Sequence, residues 1–460
     1  MRMVSSRSIA VLLVLVLAAT CARLDSQTVS ILYSFNGQNS SGQPVYVAPM
    51  QGRNGRLYGT TYGPNGGFGS VFTITTTGTE AQIYTFGTDG ANPEAGLTLG
   101  TDGNFYGTTT AGGSSGDGVL FLVSPAGGYT DLHDFGGGSD GAVPTAPPIE
   151  ASDGNFYGST SGTAGASTLY EYSPSSGTFS TILSLGSTQG QYVIGGVVEG
   201  SDGDLYGSAE EGGLNGCGTL FKVTKSGTFL WGYSFACSAG FLPGQLVLGT
   251  DGSFYGTTAQ GGRSVSCGTV FKLSQADQVS IVYAFKGVLD GCEPFGGLAQ
   301  GSDGNLYGAT TFGGKGTNGG GGTLYSISSA GIHTVLYDFG PTGEEPTFPP
   351  AQDTNGEFYG TTEVGGHSGY GSVYSLNMGL APFVAFVQPT GNVGRSAQIL
   401  GQDLTGTTTV TFNGVPATSF TVKSDTFMTA IVPAGATTGP VVVTTPTGTL
   451  TSNVSFRVTQ

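Results

Sequence analysis

Apolar and polar positions along this chain alternate in short segments that repeat with a period near 50 residues. In residues 244–285, apolar segments at 244–249, 254–258, 268–273 and 279–285 are separated by polar or glycine-rich stretches. Short apolar runs bounded by Gly, Asp and Ser are typical of β-strands. The pattern therefore predicts four short antiparallel strands in each period.

One phrase marks the period, an aromatic residue followed by glycine, mostly within D-G-N-F/L-Y-G-T-T. It recurs at steps of 48 to 52 residues, at Tyr58, Tyr106, Tyr157, Tyr206, Tyr255, Tyr307 and Tyr359. A period of this size with strand-like content indicates a propeller or a solenoid. Four antiparallel strands per repeat is the content of a propeller blade. The third strand of each repeat also carries an aromatic residue, which we expect to cover the faces between stacked blades.

The strand count predicts how the ring closes. The first six repeats each end in a fourth strand, but the seventh, ending near residue 376, has none before the phrasing changes. Residues 29–35, ahead of the first repeat, have the pattern of the missing strand. We expect them to pair with residues 371–376, because closure removes an open sheet edge. A solenoid needs no displaced strand, so the prediction is an all-β fold with a seven-bladed β-propeller over residues 28–380.

The tail, residues 381–460, is predicted to be a second domain. Its alternating Val and Thr with frequent turn signals predict a β-sandwich. The phrases V-T-F-N-G-V-P-A at 410–417 and I-V-P-A-G-A at 431–436 resemble an IPT/TIG immunoglobulin-like domain. The resemblance implies an extracellular spacer or interaction module. DNA-binding relatives require basic loops, and the cations of this tail are Arg395, Lys423 and Arg457.

The repeats themselves resemble a known family. The elements D-G-N-F/L-Y-G-T/A-T, G-G, G-T-V-F-K-L, Y-x-F and D-G-x-x-P recur together over residues 29 to about 378. This set resembles the GloVer tandem-repeat family of bacterial exported proteins. The third repeat departs from it, with Gly162-Thr163-Ala164 in place of Gly-Gly. The resemblance implies an extracytoplasmic location and assigns no activity or functional residues.

Composition narrows the possible partners. Glycine makes up 84 of 460 residues, charged residues only 10% and aromatic residues 11%, which is the reverse of the balance in disordered chains. The formal net charge is −16 with 14 Lys and Arg. Nucleic acids and anionic membrane surfaces require clustered cations, so neither is an expected partner. Beyond the N-terminus, no stretch approaches 18 apolar residues, and we expect no transmembrane segment.

The N-terminus, residues 1–27, reads as a signal peptide. Arg2 and Arg7 precede an apolar run at 9–19, and small residues follow. We expect cleavage near residues 19 to 27 and an extracellular or cell-surface protein. Lipid anchoring at Cys21 is the alternative, although Thr20 fits poorly before a lipidated cysteine.

Four cysteines remain after cleavage: Cys217, Cys237, Cys267 and Cys292. Their equivalent places in the fourth and fifth repeats favour disulfides Cys217–Cys237 and Cys267–Cys292. A four-cysteine zinc site is the alternative, but zinc knuckles use much closer spacings.

Residues with catalytic or metal-binding potential are few. His133, His333 and His367 lie far apart and form no paired-ligand motif. The D-G-N phrases mostly carry one carboxylate each, which favours hairpin turns over calcium loops. The adjacent pairs Glu210-Glu211 and Glu344-Glu345 are expected to be solvated. We therefore expect no catalytic, cofactor-binding or metal-binding residues and no cofactor.

Two function classes follow from these observations. The first is a secreted or cell-surface, non-catalytic binding or adhesion scaffold for an extracellular glycan or a cell-surface protein. The alternative is a propeller enzyme, a hydrolase or lyase acting on extracellular polysaccharide. An enzyme would have to break the repeat symmetry with converging catalytic groups, whereas the deviations here are mostly Gly, Ser and Asn. We expect any ligand at the glycine-rich loops between second and third strands, while the recurring Tyr residues form the core. Four of these loops are residues 112–118, 212–218, 261–268 and 313–322.

Overall fold

The protein is described by a computed structural model. The residues it describes are 27–37, 42–44, 48–63, 67–162, 167–262, 267–287, 289–314, 320–340 and 344–459. These ranges form an all-β structure without an α-helix. The expected signal peptide and Cys21 lie outside the described residues, apart from residue 27 of the signal segment.

The repeats fold into successive antiparallel sheets whose strands lie in chain order, which is a β-propeller-like arrangement. Sheet 1 contains Met50–Gln51, Leu57–Thr61, Ser70–Ile74 and Glu80–Thr85. Sheet 2 contains Thr98–Leu99, Phe105–Thr109, Val119–Val123 and Tyr129–Asp134. Sheet 3 contains Ile149–Glu150, Phe156–Thr160, Thr168–Ser173 and Thr178–Ser184. Sheet 4 contains Val197–Glu199, Leu205–Ala209, Thr219–Val223 and Phe229–Ser234.

Sheets 5 to 7 continue the series with two variations. Sheet 5 contains Phe241–Pro243, Val247–Leu248, Phe254–Gln260, Thr269–Leu273 and Val279–Ala284, of which the first two both pair with the third. Sheet 6 contains Ala299–Gln300, Leu306–Thr310, Thr323–Ile327 and His333–Asp338. Sheet 7 contains Ala351–Gln352, Phe358–Thr362, Ser372–Asn377 and the N-terminal strand Thr28–Ser34.

The N-terminal strand occupies the place expected for it in sheet 7. It pairs antiparallel with Ser372–Asn377, from Thr28 opposite Asn377 to Ser34 opposite Ser372. The amide of Phe35 extends the ladder by donating to the Gly371 carbonyl at 3.0 Å. The two ends of the repeat region therefore share one sheet.

The Tyr-Gly phrase is explained by packing within and between sheets. The seven tyrosines are buried. Four of them, Tyr58, Tyr106, Tyr206 and Tyr307, pack on an aromatic ring of the following sheet. The centroids of the Tyr106 and Phe156 rings, for example, lie 3.8 Å apart. The glycine is required because the third-strand ring lies over it. A Cβ on Gly107 would meet the Phe121 ring at 2.6 Å, and one on Gly308 would meet Tyr325 at 2.3 Å. The tyrosine therefore fills space between sheets, and the glycine leaves room for the ring of the third strand.

The D-G turns differ from the two-residue primed turns that an Asp-Gly pair suggests. In sheet 2 the Gly103 amide donates to the Gly100 carbonyl at 2.9 Å, and the Gly100 amide donates to Asn104 at 2.8 Å. Gly103 has φ +93°, while Asp102 is not among the described residues with positive φ. This is a type I turn followed by a left-handed glycine, which leaves the aspartate free to serve as an acceptor.

The C-terminal region, residues 383–459, forms a separate core between further sheets. One sheet contains Ala385–Phe386, Ser396–Leu400, Phe427–Ile431 and Phe420–Ser424. A second contains Val415–Pro416, Thr409–Phe412, Val441–Thr445 and Gly448–Thr451. Thr390–Asn392 pairs in parallel with Arg457–Thr459. Buried Ile399, Met428, Phe412 and Val443 pack together from the two larger sheets.

Candidate functional site

The repeat region has two unequal faces. Because consecutive strands run in opposite directions, the turns joining first to second strands lie at one end of every sheet, which we call the turn face. The glycine-rich loops joining second to third strands lie at the other end. We call that end the loop face, together with the connections between sheets.

On the turn face, the aspartate of the recurring phrase is bound by internal donors. Asp102 accepts the Asn104 amide through Oδ1 at 3.0 Å and the Tyr106 hydroxyl through Oδ2 at 3.2 Å. The same Tyr–Asp bond occurs in sheets 3 to 6, in the pairs Tyr157–Asp153, Tyr206–Asp202, Tyr255–Asp251 and Tyr307–Asp303. Burial and the carboxylate raise the pKa of Tyr206 to about 12. These carboxylates support the turns. Within the described ranges, no group of three or more His, Cys, Asp or Glu side chains could hold a metal ion.

A chain of side-chain links joins neighbouring turns. When the last residue of a sheet's first strand is Gln or Glu, its side-chain oxygen accepts a hydrogen bond from a backbone amide in the turn of the preceding sheet. Among the described residues these links are Thr101 to Glu150, Ser152 to Glu199, Thr250 to Gln300, Ser302 to Gln352 and Thr354 to Gln51, at 2.7 to 3.2 Å. At the two remaining junctions the equivalent residue is Leu99 or Leu248.

The C-terminal region docks at the first of these exceptions. Leu400 and Phe427 pack with Leu99 and Phe105 in one apolar cluster. Arg53, which stands where other turns have Ser or Thr, lies over the Phe427 ring at 4.6 Å. Its guanidinium donates to the Thr101 carbonyl and to the Gln398 amide oxygen, each at 2.6 Å.

Further contacts extend this interface around the turn face. Arg457 donates to the Ser201 carbonyl at 2.7 Å, beside the second exception, and lies 3.5 Å from Glu199. Gln402 donates to the Thr354 hydroxyl at 2.9 Å, and Gln388 donates to the Ala151 carbonyl. Turns of sheets 1, 2, 3, 4 and 7 thus contact the C-terminal region.

The loop face is more irregular. Exposed apolar side chains lie there on loops and connections of several sheets: Phe68, Leu214, Leu289 and Phe312. The six connections that lead from sheet 1 through to sheet 7 each contain a non-glycine residue in the left-handed region, at Asn92, Val143, Tyr192, Leu242, Glu293 and Glu345, with φ from 46° to 60°. Such residues are uncommon and carry local strain. Loops 112–118 and 212–218 are described in full, whereas parts of loops 261–268 and 313–322 lie outside the described residues.

Two disulfides secure the loop face. Cys217 is bonded to Cys237 and Cys267 to Cys292, with Cα–Cα distances of 5.3 and 4.4 Å. Each bond ties a loop before a third strand to the connection after the fourth. This is the pairing that repeat equivalence favours, and in it the four sulfurs bond to one another instead of forming a zinc set.

The three histidines lie in different sheets. His133 stacks on Phe179 at 3.5 Å and contacts Asp140 at 3.1 Å. Burial lowers its pKa despite that carboxylate. His333 stacks on Tyr283 at 4.5 Å, and burial lowers its pKa to about 4. His367 is exposed in the loop of sheet 7. The structure does not bring the three together.

The acidic pairs are less solvated than expected. Glu211 is exposed, but Glu210 is partly buried. Burial, with the neighbouring charge of Glu211 as a smaller cause, raises the pKa of Glu210 to about 7. Burial also raises the pKa of Glu344. The reason is that Glu210 follows a fully buried second strand, and its amide is held by the Tyr192 carbonyl at 3.0 Å.

Comparison with solved structures finds bacterial proteins of low sequence identity. One similar structure is the extracellular domain of a hybrid two-component system protein from B. thetaiotaomicron, at 10% identity and TM-score 0.47, covering 93% of this chain and 58% of that one. Another is PorZ, a surface component of the type-IX secretion system of Porphyromonas gingivalis, at 15% identity and TM-score 0.44, covering 88% and 58%. A third is oligogalacturonate lyase from Vibrio parahaemolyticus, at 11% identity and TM-score 0.45, covering 76% and 93%.

These similarities are too weak to carry function. The chain spans 62%, 58% and 58% of the first three solved structures that it matches. The comparison with curated proteins found no match. The described residues also include no helix long and apolar enough to cross a membrane.

The family comparison is specific to the repeats. The Gloeobacter/Verrucomicrobia repeat matches residues 19–199 and 159–374, which together exceed half of the chain. These segments contain the Tyr-Gly phrases, the D-G turns and the glycine-rich loops described above. The chain belongs to the Gloeobacter/Verrucomicrobia repeat family.

Proposed function

We propose that the protein is an exported, non-catalytic binding scaffold that acts outside the cell or at its surface. In this proposal a signal peptide, residues 1–27, precedes a closed seven-bladed β-propeller, residues 28–380, and an IPT/TIG immunoglobulin-like sandwich, residues 381–460. The antiparallel sheets and the shared sheet 7 support the propeller. The two disulfides suit an oxidising compartment.

The ligand, an extracellular glycan or a cell-surface protein, binds on the loop face. The observation that carries this proposal is the docking of the C-terminal region on the turn face, through Arg53, Gln402 and Arg457. The D-G turns are also bound by their own tyrosines and by neighbouring sheets. Variable loops on a rigid scaffold are the usual site of recognition, and the loop face carries the variable loops.

The geometry favours binding over polysaccharide cleavage. Glycoside hydrolysis uses two carboxyl groups on opposite sides of the scissile bond, one of them with a raised pKa. Glu210 is one of several carboxyl groups whose pKa burial raises, but its acidic neighbour, Glu211, is adjacent in sequence and cannot oppose it across a sugar. His133 and His333 stack on aromatic rings in separate sheets, and His367 is exposed.

The test is capture of the full chain by isolated bacterial cell-wall material and by a glycan array. In one variant, loop 313–322 is replaced by the shorter loop of residues 365–371. In a matched control, turn 301–305 is replaced by the equivalent turn 249–253. We expect the loop variant to lose capture with an unchanged melting temperature, and the turn variant to keep it. Capture that survives shortening of all the glycine-rich loops would contradict a loop-face site.

A further inference from the structure

Sheet 4 lacks one side chain that every other outer strand supplies. In each of the other sheets, the outer-strand residue that pairs with the third-strand aromatic residue has a side chain: Ile31, Gln82, Asp131, Thr181, Ile281 and Val335. In sheet 4 the bulge falls at Leu230, and Gly232 pairs with Phe221. Trp231 packs in the apolar cluster that sheet 4 shares with sheet 5.

An open cavity of about 250 Å³ lies at this position. We call it the Gly232 pocket, and its lining residues are Thr188, Gln189, Leu214, Thr219, Phe229, Gly232, Tyr233 and Ser234. The Phe229 ring partly occupies the space that a side chain at residue 232 would need, since its Cζ lies 2.9 Å from where a Gly232 Cβ would be. The pocket opens on the loop face beside Leu214, whose side chain is 86% exposed.

The aromatic surface of the pocket is the Phe229 ring. Phe221, which pairs with Gly232, and Phe229 both pack in the cluster that sheet 4 shares with sheet 3. Tyr233 pairs with Leu220 and packs in the cluster shared with sheet 5, so its ring lies on the other face of the sheet.

The lining selects a neutral, hydroxyl-rich ligand. None of its residues is charged, and hydroxyl or amide side chains surround the Phe229 ring and Leu214. Gln189 accepts the Gly186 amide and Ser234 accepts the Leu214 amide, but each keeps a donor group of its own. An aliphatic side chain of a peptide would leave these donors facing an apolar surface, which is unfavourable. A sugar ring presents C–H faces to aromatic rings and hydroxyls to polar groups. The net charge of −16 disfavours acidic sugars.

We propose that the Gly232 pocket binds a single neutral pyranose unit of an extracellular glycan. This inference rests on the proposed binding function and names its ligand class. The volume of about 250 Å³ lies below that of sites for drug-sized ligands, which begin at about 300 Å³, and suits one ring. A site of this size is expected to bind a monosaccharide weakly, with a Kd of about 1–10 mM.

The experiment measures sugar binding to the full chain by ligand-observed NMR. The probes are the methyl glycosides of glucose, galactose and mannose, and N-acetylglucosamine. Methyl glucuronide serves as the charged control and N-acetyl-leucinamide as the peptide mimic. The filling variant is Gly232→Ile, which places opposite Phe221 the residue type that sheet 5 has opposite Phe271, Ile281. Because Phe229 must only swing aside, the variant is expected to melt at or above the temperature of the unmodified chain.

Two more variants make the result decisive. Leu214→Ser alters the exposed rim without touching a sheet, and Leu230→Thr changes an exposed residue of the same strand outside the pocket. We expect Gly232→Ile to weaken binding of a neutral sugar at least about tenfold, Leu214→Ser to weaken it, and Leu230→Thr to leave it unchanged. Binding that persists in Gly232→Ile, or binding of N-acetyl-leucinamide but no neutral sugar, would overturn the proposal.

Capture by cell-wall material separates the two proposals. If the unmodified chain and Gly232→Ile are captured equally, the pocket is not the glycan site and the scaffold function stands. If the unmodified chain binds neither cell-wall material nor any arrayed glycan, the scaffold function itself fails.

Discussion

The two faces of the repeat region are built from the same strands, but one is regular and the other varies from sheet to sheet. On the turn face, an aspartate or asparagine bonds a tyrosine in each sheet, and in all but sheets 2 and 5 a Gln or Glu also bonds the previous turn. On the loop face, the second and third strands are joined by loops that differ in length and expose Leu214 or Phe312. The recurring chemistry thus maintains the scaffold, and the part of the chain that varies is where we propose that recognition takes place.

The contrast also bears on where the C-terminal region makes its contacts. It packs on Leu99, where an aliphatic residue replaces the turn-to-turn link, and Arg53 bonds the Thr101 carbonyl there. Arg457 bonds the Ser201 carbonyl in the turn of sheet 4, which precedes the junction with Leu248. Gln388 and Gln402 contact turns that keep the link. Breaks in the repeated polar pattern therefore accompany part of this interface.

The largest effect is expected from removing the strand that both faces share. Deleting residues 28–35 leaves Ser372–Asn377 as an open edge and removes buried Phe35. We expect the chain to lose cooperative folding, because the loss approaches the whole stability of a domain, about 5–15 kcal/mol. Thermal unfolding by circular dichroism checks this. Deleting residues 381–460 is the control and is expected to lower the melting temperature while keeping a cooperative transition. Equal effects of the two deletions would contradict closure by the N-terminal strand.

The next effect compares two glycines, one in a sheet and one on the loop face. Gly107→Ala forces a Cβ to within 2.6 Å of Phe121 and 2.9 Å of Leu97. We expect a loss of about 3 kcal/mol from this overpacking. Gly116→Ala meets no atom within 4 Å but has φ +83°, and it is expected to cost about 1 kcal/mol. Urea unfolding of both variants measures the difference, and similar losses would mean that the Tyr-Gly phrase is not set by packing.

Much of this contrast could be predicted from the sequence because repetition is a local signal. The strand at 29–35, the cysteine pairs and the buried tyrosines all follow from comparing one repeat with another. The turn type could not be predicted, since Asp-Gly suits both a primed turn and a type I turn with a left-handed glycine. In place of one first strand over 244–249, sheet 5 has two short strands, Phe241–Pro243, which contains the left-handed Leu242, and Val247–Leu248.

The docking of the C-terminal region could not be predicted because its contacts join residues hundreds of positions apart. Signals were nevertheless present in the repeats. Arg53 stands where every other repeat has Ser or Thr, Leu99 and Leu248 stand among Gln and Glu, and Gly232 stands where every other outer strand has a side chain. Recurrence identifies the scaffold, and single exceptions to it identify the places with another role.

The titration of Glu210 tests whether this side chain of the loop face is buried. Its pKa of about 7 exceeds its usual value of 4.5, so the protonated form is stabilised in the folded chain. That stability is fully present below about pH 4.3 and is lost as the pH rises through 7. Glu210→Gln is expected to flatten this dependence and to raise stability at pH 8 by on the order of 1–2 kcal/mol after discounting for partial exposure. An unchanged pH profile between 4 and 8 would refute the burial of this carboxyl.

The smallest effect tests one link of the turn face. Gln300→Leu removes the acceptor of the Thr250 amide but places the residue already found at Leu99 and Leu248. We expect a loss of on the order of 1 kcal/mol, because the amide must then rely on water. Chemical unfolding measures it, with Gln260→Leu at the end of another strand as control. A neutral Gln300→Leu would mean that the links between turns add nothing to stability.

Footprinting of the full chain tests the division between the faces most directly. The chain is captured on cell-wall material or on the glycan that binds it, and backbone hydrogen exchange is compared with that of the free chain. We expect slower hydrogen exchange in loops 112–118 and 212–218 of the captured chain, with no change in turns 249–253 and 301–305. Protection confined to those turns or to residues 383–459 would contradict it.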